Sequence, residues 1–142
     1  MAVKQLSISL ENRPGMLSQI SEMLGKEGVN IRAISVADTS DISTVRFVVD
    51  DPVKAVNILK TNKYAVKETD VLAVETPDHP GGLGAVLKPI KAADINVLYL
   101  YPYLGRASDQ AIVILGVDMI NEAESVLKEN WVHMFGNEIY NM

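Results

Sequence analysis

Leu6, Ile8 and Leu10 alternate with Ser7 and Ser9, and this period of two predicts a half-buried strand. After Pro14-Gly15 the period lengthens. Met16, Leu17, Ile20, Met23 and Leu24 fall on one helical face, and Gly28 stands where a left-handed residue would end that helix. Two β-rich runs follow, Ile31 to Val36 and Thr44 to Val49, joined by the turn-forming Asp38-Thr39-Ser40-Asp41. Pro52 to Lys60 returns to helical spacing through Val53, Val56 and Leu59, with proline at the first helical position. An extended run from Val66 to Val74 completes the order βαββαβ.

The same order then recurs. Pro14-Gly15-Met16-Leu17 returns as Pro80-Gly81-Gly82-Leu83, and Val29-Asn30-Ile31 as Ile95-Asn96-Val97, both at an offset of 66. Two matches at one spacing indicate duplication. In the second copy Val71 to Glu75 is a strand, Leu83, Val86, Leu87 and Ile90 mark a helix, and Val97 to Tyr103 and Ala111 to Val117 are strands. A helix capped by Asp118 closes near Asn130, and a short strand is expected near Glu138 to Tyr140. The predicted fold is α+β: two ferredoxin-like repeats, residues 1–70 and 71–142, each an antiparallel sheet with helices on one face. Asp70 to Glu75 must serve as last strand of one copy and first of the next, so the repeats interlock through residues 67–76. The alternative is that a C-terminal strand near Ile139 completes the first sheet. No Gly/Ser/Pro-rich linker separates the copies.

Composition narrows the function. The net charge is -5, with nine basic and nine acidic side chains in residues 1–70 and four and nine in residues 71–142. Neither half offers the cationic footprint that a phosphate backbone requires, so no nucleic-acid partner is expected. The longest apolar stretches, such as Ile112 to Val117, fall far short of a membrane span, and the N-terminus lacks a charged region followed by an apolar one. A cytoplasmic protein is the expectation. The absence of cysteine removes disulfides and thiolate chemistry, and two histidines leave little for metal binding. No cofactor or metal is expected.

The segment richest in chemical possibility is Leu10-Glu11-Asn12-Arg13-Pro14-Gly15-Met16-Leu17, with the distant Gly28-Val29-Asn30-Ile31. Glycine at a strand-to-helix turn exposes backbone N–H groups at a helix N-terminus, which suits a carboxylate. The side-chain amides of Asn12 and Asn30 can meet an α-amino group. As a plain turn residue, an N-cap or a strand opener, each asparagine would also be in place without any ligand.

These two segments, in this order, resemble the ACT domain family, and the resemblance covers the chain as two copies. It implies a regulatory module that binds a free amino acid and controls enzymes of amino-acid metabolism. It places ligand-binding positions at Asn12, Arg13, Pro14, Gly15, Met16, Leu17, Asn30 and Ile31. In the second copy it places them at Asp78, His79, Gly81, Gly82, Leu83 and Asn96. Serine-binding members commonly carry histidine two residues before the first asparagine. Leu10 stands there instead, which points toward a hydrophobic amino acid. Asp78 replaces Asn12 and His79 replaces Arg13 in the second copy. A homodimer is also implied.

Other constellations carry less. Asp78-His79 resembles an oriented imidazole, but no nucleophile lies beside it, so an enzyme acting on an amino-acid derivative is only a remote alternative. Ser108-Asp109 lies far in sequence from either histidine. Gly81-Gly82-Leu83-Gly84 lacks the Lys-Ser/Thr ending of a phosphate loop. Tyr99, Tyr101 and Tyr103 should share one sheet face, and the equivalent residues of copy one are the small Ala33, Ser35 and Ala37. An open tyrosine face reads as an interface rather than an aromatic pocket, and it supports the second function, a ligand-independent interaction or oligomerisation module.

Overall fold

A computed structural model of the chain describes residues 2–105 and 111–142. The chain divides into two compact units, Lys4–Thr69 and Asp70–Met142, the second joined by the first residues of the chain.

The first unit contains β1 (Val3–Glu11), α1 (Met16–Lys26), β2 (Ile31–Asp38), β3 (Ile42–Val49), α2 (Pro52–Thr61) and the start of β4 (Lys67–Thr76). β3 pairs antiparallel with both β1 and β2. Leu6, Ile8 and Leu10 of β1 and Val45, Phe47 and Val49 of β3 turn one sheet face toward Ile20 and Leu24 of α1 and Val56 and Leu59 of α2. Each such fully buried side chain stabilises the fold by about 1.5–3 kcal/mol. Asp51 caps α2 by accepting the Lys54 N–H, and Pro52 sets the first helical φ. Gly28, at φ +78°, ends α1 as its position predicts.

The second unit holds the rest of β4, then α3 (Gly82–Ala92), β5 (Val97–Pro102), β6 (Ala111–Val117), α4 (Ile120–Glu129), β7 (Met134–Phe135) and a 3₁₀ helix (Asn137–Tyr140). β6 pairs with β5 and β4, and Ala73 and Val74 of β4 also pair with β7 on their other edge. Leu72, Val74, Val86, Ile90, Leu115, Leu127 and Met134 form the core. Asp94, at φ +58°, ends α3 as Gly28 ends α1.

β4 resolves the strand count, because one continuous ten-residue strand runs from the first unit into the second. Three other expectations are corrected. Glu138 to Tyr140 is 3₁₀ helix rather than strand, and the closing strand is Met134–Phe135, paired to β4. Asp118 does not cap α4. Met119 occupies the N-cap without a side-chain bond, and Asp118 Oδ1 instead accepts the Asn96 N–H at 3.0 Å. Nor do the tyrosines form an open face: Tyr101 is 4% and Tyr103 8% exposed. Tyr103 donates its hydroxyl to the Ile139 carbonyl at 3.0 Å, with the Met142 carbonyl at 3.1 Å, and so ties down the C-terminus. Ser108-Asp109 lies outside the described residues.

The Asp118 contact has a counterpart in Asp50, whose Oδ1 accepts the Asn30 N–H at 2.9 Å. Each aspartate closes the open end of a hairpin through a charge-assisted bond. Asp118→Ala is expected to lower stability by about 1–2 kcal/mol, readable as a shifted urea midpoint at unchanged slope.

Candidate functional site

The turn between β1 and α1 is built around Gly15, which at φ +87° is left-handed and serves as the N-cap of α1. A side chain at this φ is strained, which is why glycine stands here. No side chain caps α1, so the first-turn N–H groups, which have no partner within a helix, are available to an anion. The Gln19 N–H is the first to find the turn, donating to the Gly15 carbonyl at 3.0 Å.

Asn12 anchors the turn to the β2–β3 loop: its N–H donates to the Asp41 carbonyl at 2.9 Å and its Nδ2 to the Thr39 carbonyl at 3.4 Å. Arg13 pairs with Glu11 at 2.8 Å with both side chains exposed, an arrangement worth less than about 1 kcal/mol. Pro14 and Leu17 are exposed, whereas Met16 packs partly against the core.

Asn30 lies elsewhere. It opens β2 and exchanges backbone and carboxylate bonds with Asp50 at the far end of β3. β1 and β2 both run antiparallel to β3, and Glu11 faces Ile42 while Ile31 faces Val49. The eight residues of β3 therefore separate the two motif segments by roughly 24 Å, at about 3.4 Å per residue. A single unit does not bring Asn12 and Asn30 to one ligand.

The second unit repeats this plan. Gly81, at φ +84°, is the N-cap of α3, which again has no side-chain cap, and the Ala85 N–H donates to the Gly81 carbonyl at 3.1 Å. His79 Nδ1 lies 2.9 Å from the Pro80 carbonyl, so its imidazole is bound to its own turn. Asp78 and Leu83 are exposed and Gly82 is buried. Asn96 opens β5 at the opposite end, on the rim of a cleft of about 320 Å³ that Lys91 and Asp94 also line.

Two features were not legible as site residues. Asp50 and Asp118 hold the strand-opening asparagines, and the signal that could have revealed them is their recurrence after a Val-rich strand in both copies. His133 and Glu75 lie 2.9 Å apart across 58 residues of sequence, and His133 also stacks on Phe135 at 4.5 Å. The neighbouring Glu138 carboxyl is held below its ordinary value, first by hydrogen bonds from the backbone N–H groups of Gly136 and Glu138, with a smaller contribution from the charge of His133. Among the described residues no group of acidic or histidine side chains could hold a metal ion, and no helix is long and apolar enough to cross a membrane. The first turn carries one side-chain amide, that of Asn12, and the second carries none.

Residues 1–141 match the ACT domain pair. No curated protein matches the chain. A protein of solved structure from Bacteroides thetaiotaomicron is 35% identical, with a TM-score of 0.91 over 100% of this chain and 98% of that one. The ligand-free regulatory subunit of aspartate kinase from Thermus thermophilus shares the fold at 12% identity and a TM-score of 0.65, over 90% of this chain and 92% of that one. The Thermus flavus regulatory subunit does so at 15% identity and 0.64, over 90% of each chain. Matched along nearly its whole length by that pair, the chain belongs to the ACT domain family.

Proposed function

We propose that this chain is a non-catalytic cytoplasmic regulatory module that binds a free amino acid at its glycine turns and passes the binding state to a separate enzyme of amino-acid metabolism. The observation that carries this reading is the duplicated left-handed glycine, Gly15 and Gly81, each at the start of a helix without a side-chain cap. Backbone donors there suit the α-carboxylate; Leu10, by contrast, is 4% exposed within the core of the first unit, so it lies out of a ligand's reach and does not select the ligand's side chain. A fold shared with regulatory subunits of aspartate kinase agrees with a role beside an enzyme.

Because Asn12 and Asn30 lie at opposite ends of one sheet, a ligand seated on the Asn12 turn needs a second repeat to supply the Asn30 segment. A homodimer provides one. A ligand bridging such an interface changes the free energy of the packing, which is the thermodynamic condition for allostery.

Thermal denaturation against the twenty amino acids, one at a time, tests the proposal. The cognate ligand at 100 times its Kd is expected to add about 2.7 kcal/mol of stability. Asn12→Ala combined with Asn30→Ala should remove most of that gain; an undiminished response in the double variant would place the ligand elsewhere.

The exposed leucines of edge strand β5, Leu98 at 56% and Leu104 just beyond it at 61%, favour a second reading, an interaction module independent of ligand. A stable dimer by light scattering, with no stability response to any amino acid, would select it.

A further inference from the structure

The duplication supplies an internal control for the second unit. α2 and α4 end in the same way: Asn62 and Asn130 each donate Nδ2 to the carbonyl four residues back at 2.8 Å. The next residue, Lys63 in one copy and Trp131 in the other, is left-handed at φ +69° and +62°. The backbone bonds agree as well, Tyr64 N–H to Leu59 and Val132 N–H to Leu127. The fold thus accepts lysine at this position. Yet copy two places a tryptophan there, 95% exposed, in a conformation that favours glycine and asparagine. Packing does not account for it.

Trp131 borders a cleft of about 310 Å³ whose apolar wall includes Pro77, Val86 and Val132. The polar groups at its rim are alike in character. Glu75 accepts from His133 Nδ1 at 2.9 Å and, as a carboxylate, keeps further lone pairs. Asn130 has spent Nδ2 on Val126, which leaves Oδ1 as an acceptor. The indole face is itself electron-rich. Neither lysine nor arginine lines the cleft among the described residues. At the aligned positions of copy one stand Ser9, Lys63 and Ala65 in place of Glu75, Trp131 and His133, so the constellation belongs to copy two alone.

From this we infer that the cleft is a binding site for a small organic cation: a protonated amine with an apolar body, its ammonium directed at Glu75 and the indole face and its body laid on the apolar wall. The cleft adjoins the Gly81 turn through Pro77 and Ala85, and among the described residues neither lysine nor arginine lines it to meet a carboxylate. It therefore prefers an amine to the amino acid of the same side chain.

Trp131 is the sole tryptophan, so its emission reports occupancy directly. The intact chain titrated with 2-phenylethylammonium at pH 8 is expected to show a saturable emission change, with 2-phenylethanol and phenylalanine at least tenfold weaker. Glu75→Gln, which keeps the shape of the side chain, should weaken the amine at least tenfold. Trp131→Lys, which copies the residue the fold accepts in copy one, should abolish binding by calorimetry, and Asn12→Ala should leave the titration unchanged. Equal binding of the alcohol, an unaltered Glu75→Gln or Trp131→Lys, or no saturation by 50 mM amine would each overturn the assignment.

Discussion

Gly82→Ala is expected to lower stability by about 3 kcal/mol, whereas Gly84→Ala, two residues further along the same helix, should raise it by roughly 0.5–1 kcal/mol. A Cβ at position 82 would sit 1.8 Å from the Pro77 carbonyl oxygen and 2.8 Å from its carbonyl carbon. The obstacle is backbone, and Pro77 has a φ fixed by its ring, so neither partner can yield by rotating a side chain. A Cβ at position 84 meets nothing within 4 Å and only removes the excess entropy of glycine from the unfolded chain. For a chain of this length, 3 kcal/mol corresponds to a fall in Tm of about 10 °C. Circular dichroism melts of the two variants, side by side, should therefore move in opposite directions. If Gly82→Ala melts within 2 °C of the parent, the turn is looser than described.

That contrast also shows what the sequence could and could not reveal. The aligned turns read Pro14-Gly15-Met16-Leu17 and Pro80-Gly81-Gly82-Leu83, and the two middle positions differ as if Met16 and Gly82 were interchangeable loop residues. The repeat, the helical segments and the left-handed Gly28 were legible because each depends on local φ/ψ or on hydrophobic period. The carbonyl that excludes a side chain at Gly82 belongs to Pro77, and its position is set by the path of the whole turn. Likewise, Asp118 reads as an N-cap by type, yet its carboxylate serves the Asn96 N–H across the hairpin. The three tyrosines alternate as predicted, but periodicity gives the face of a strand and not what covers it; hence Tyr101 and Tyr103 are buried. The separation of Asn12 from Asn30 was within reach. A strand–helix–strand crossover makes β1 and β2 parallel, and the end of one must then lie far from the start of the other.

Phe47→Ala should lower stability by about 4 kcal/mol, more than Gly82→Ala. Phe47 lies on β3, is 1% exposed and packs within the core of the first unit. Truncation there removes the transfer energy of the ring and leaves a cavity walled by strand and helix residues that cannot close it. The duplication supplies the control. Asp50 and Asp118 mark equivalent strand ends, which aligns Phe47 with Leu115, a residue equally buried in the second unit's core. Phe47→Leu introduces the side chain that the same architecture already holds at that place, and it should cost about 1 kcal/mol. Urea denaturation separates the outcomes, since both variants should keep the parent slope while their midpoints fall by amounts in a ratio near four. Equal losses would mean that the shape of the ring, rather than the volume it fills, holds the first unit together; the two copies would then share a backbone plan without sharing the packing logic of their cores.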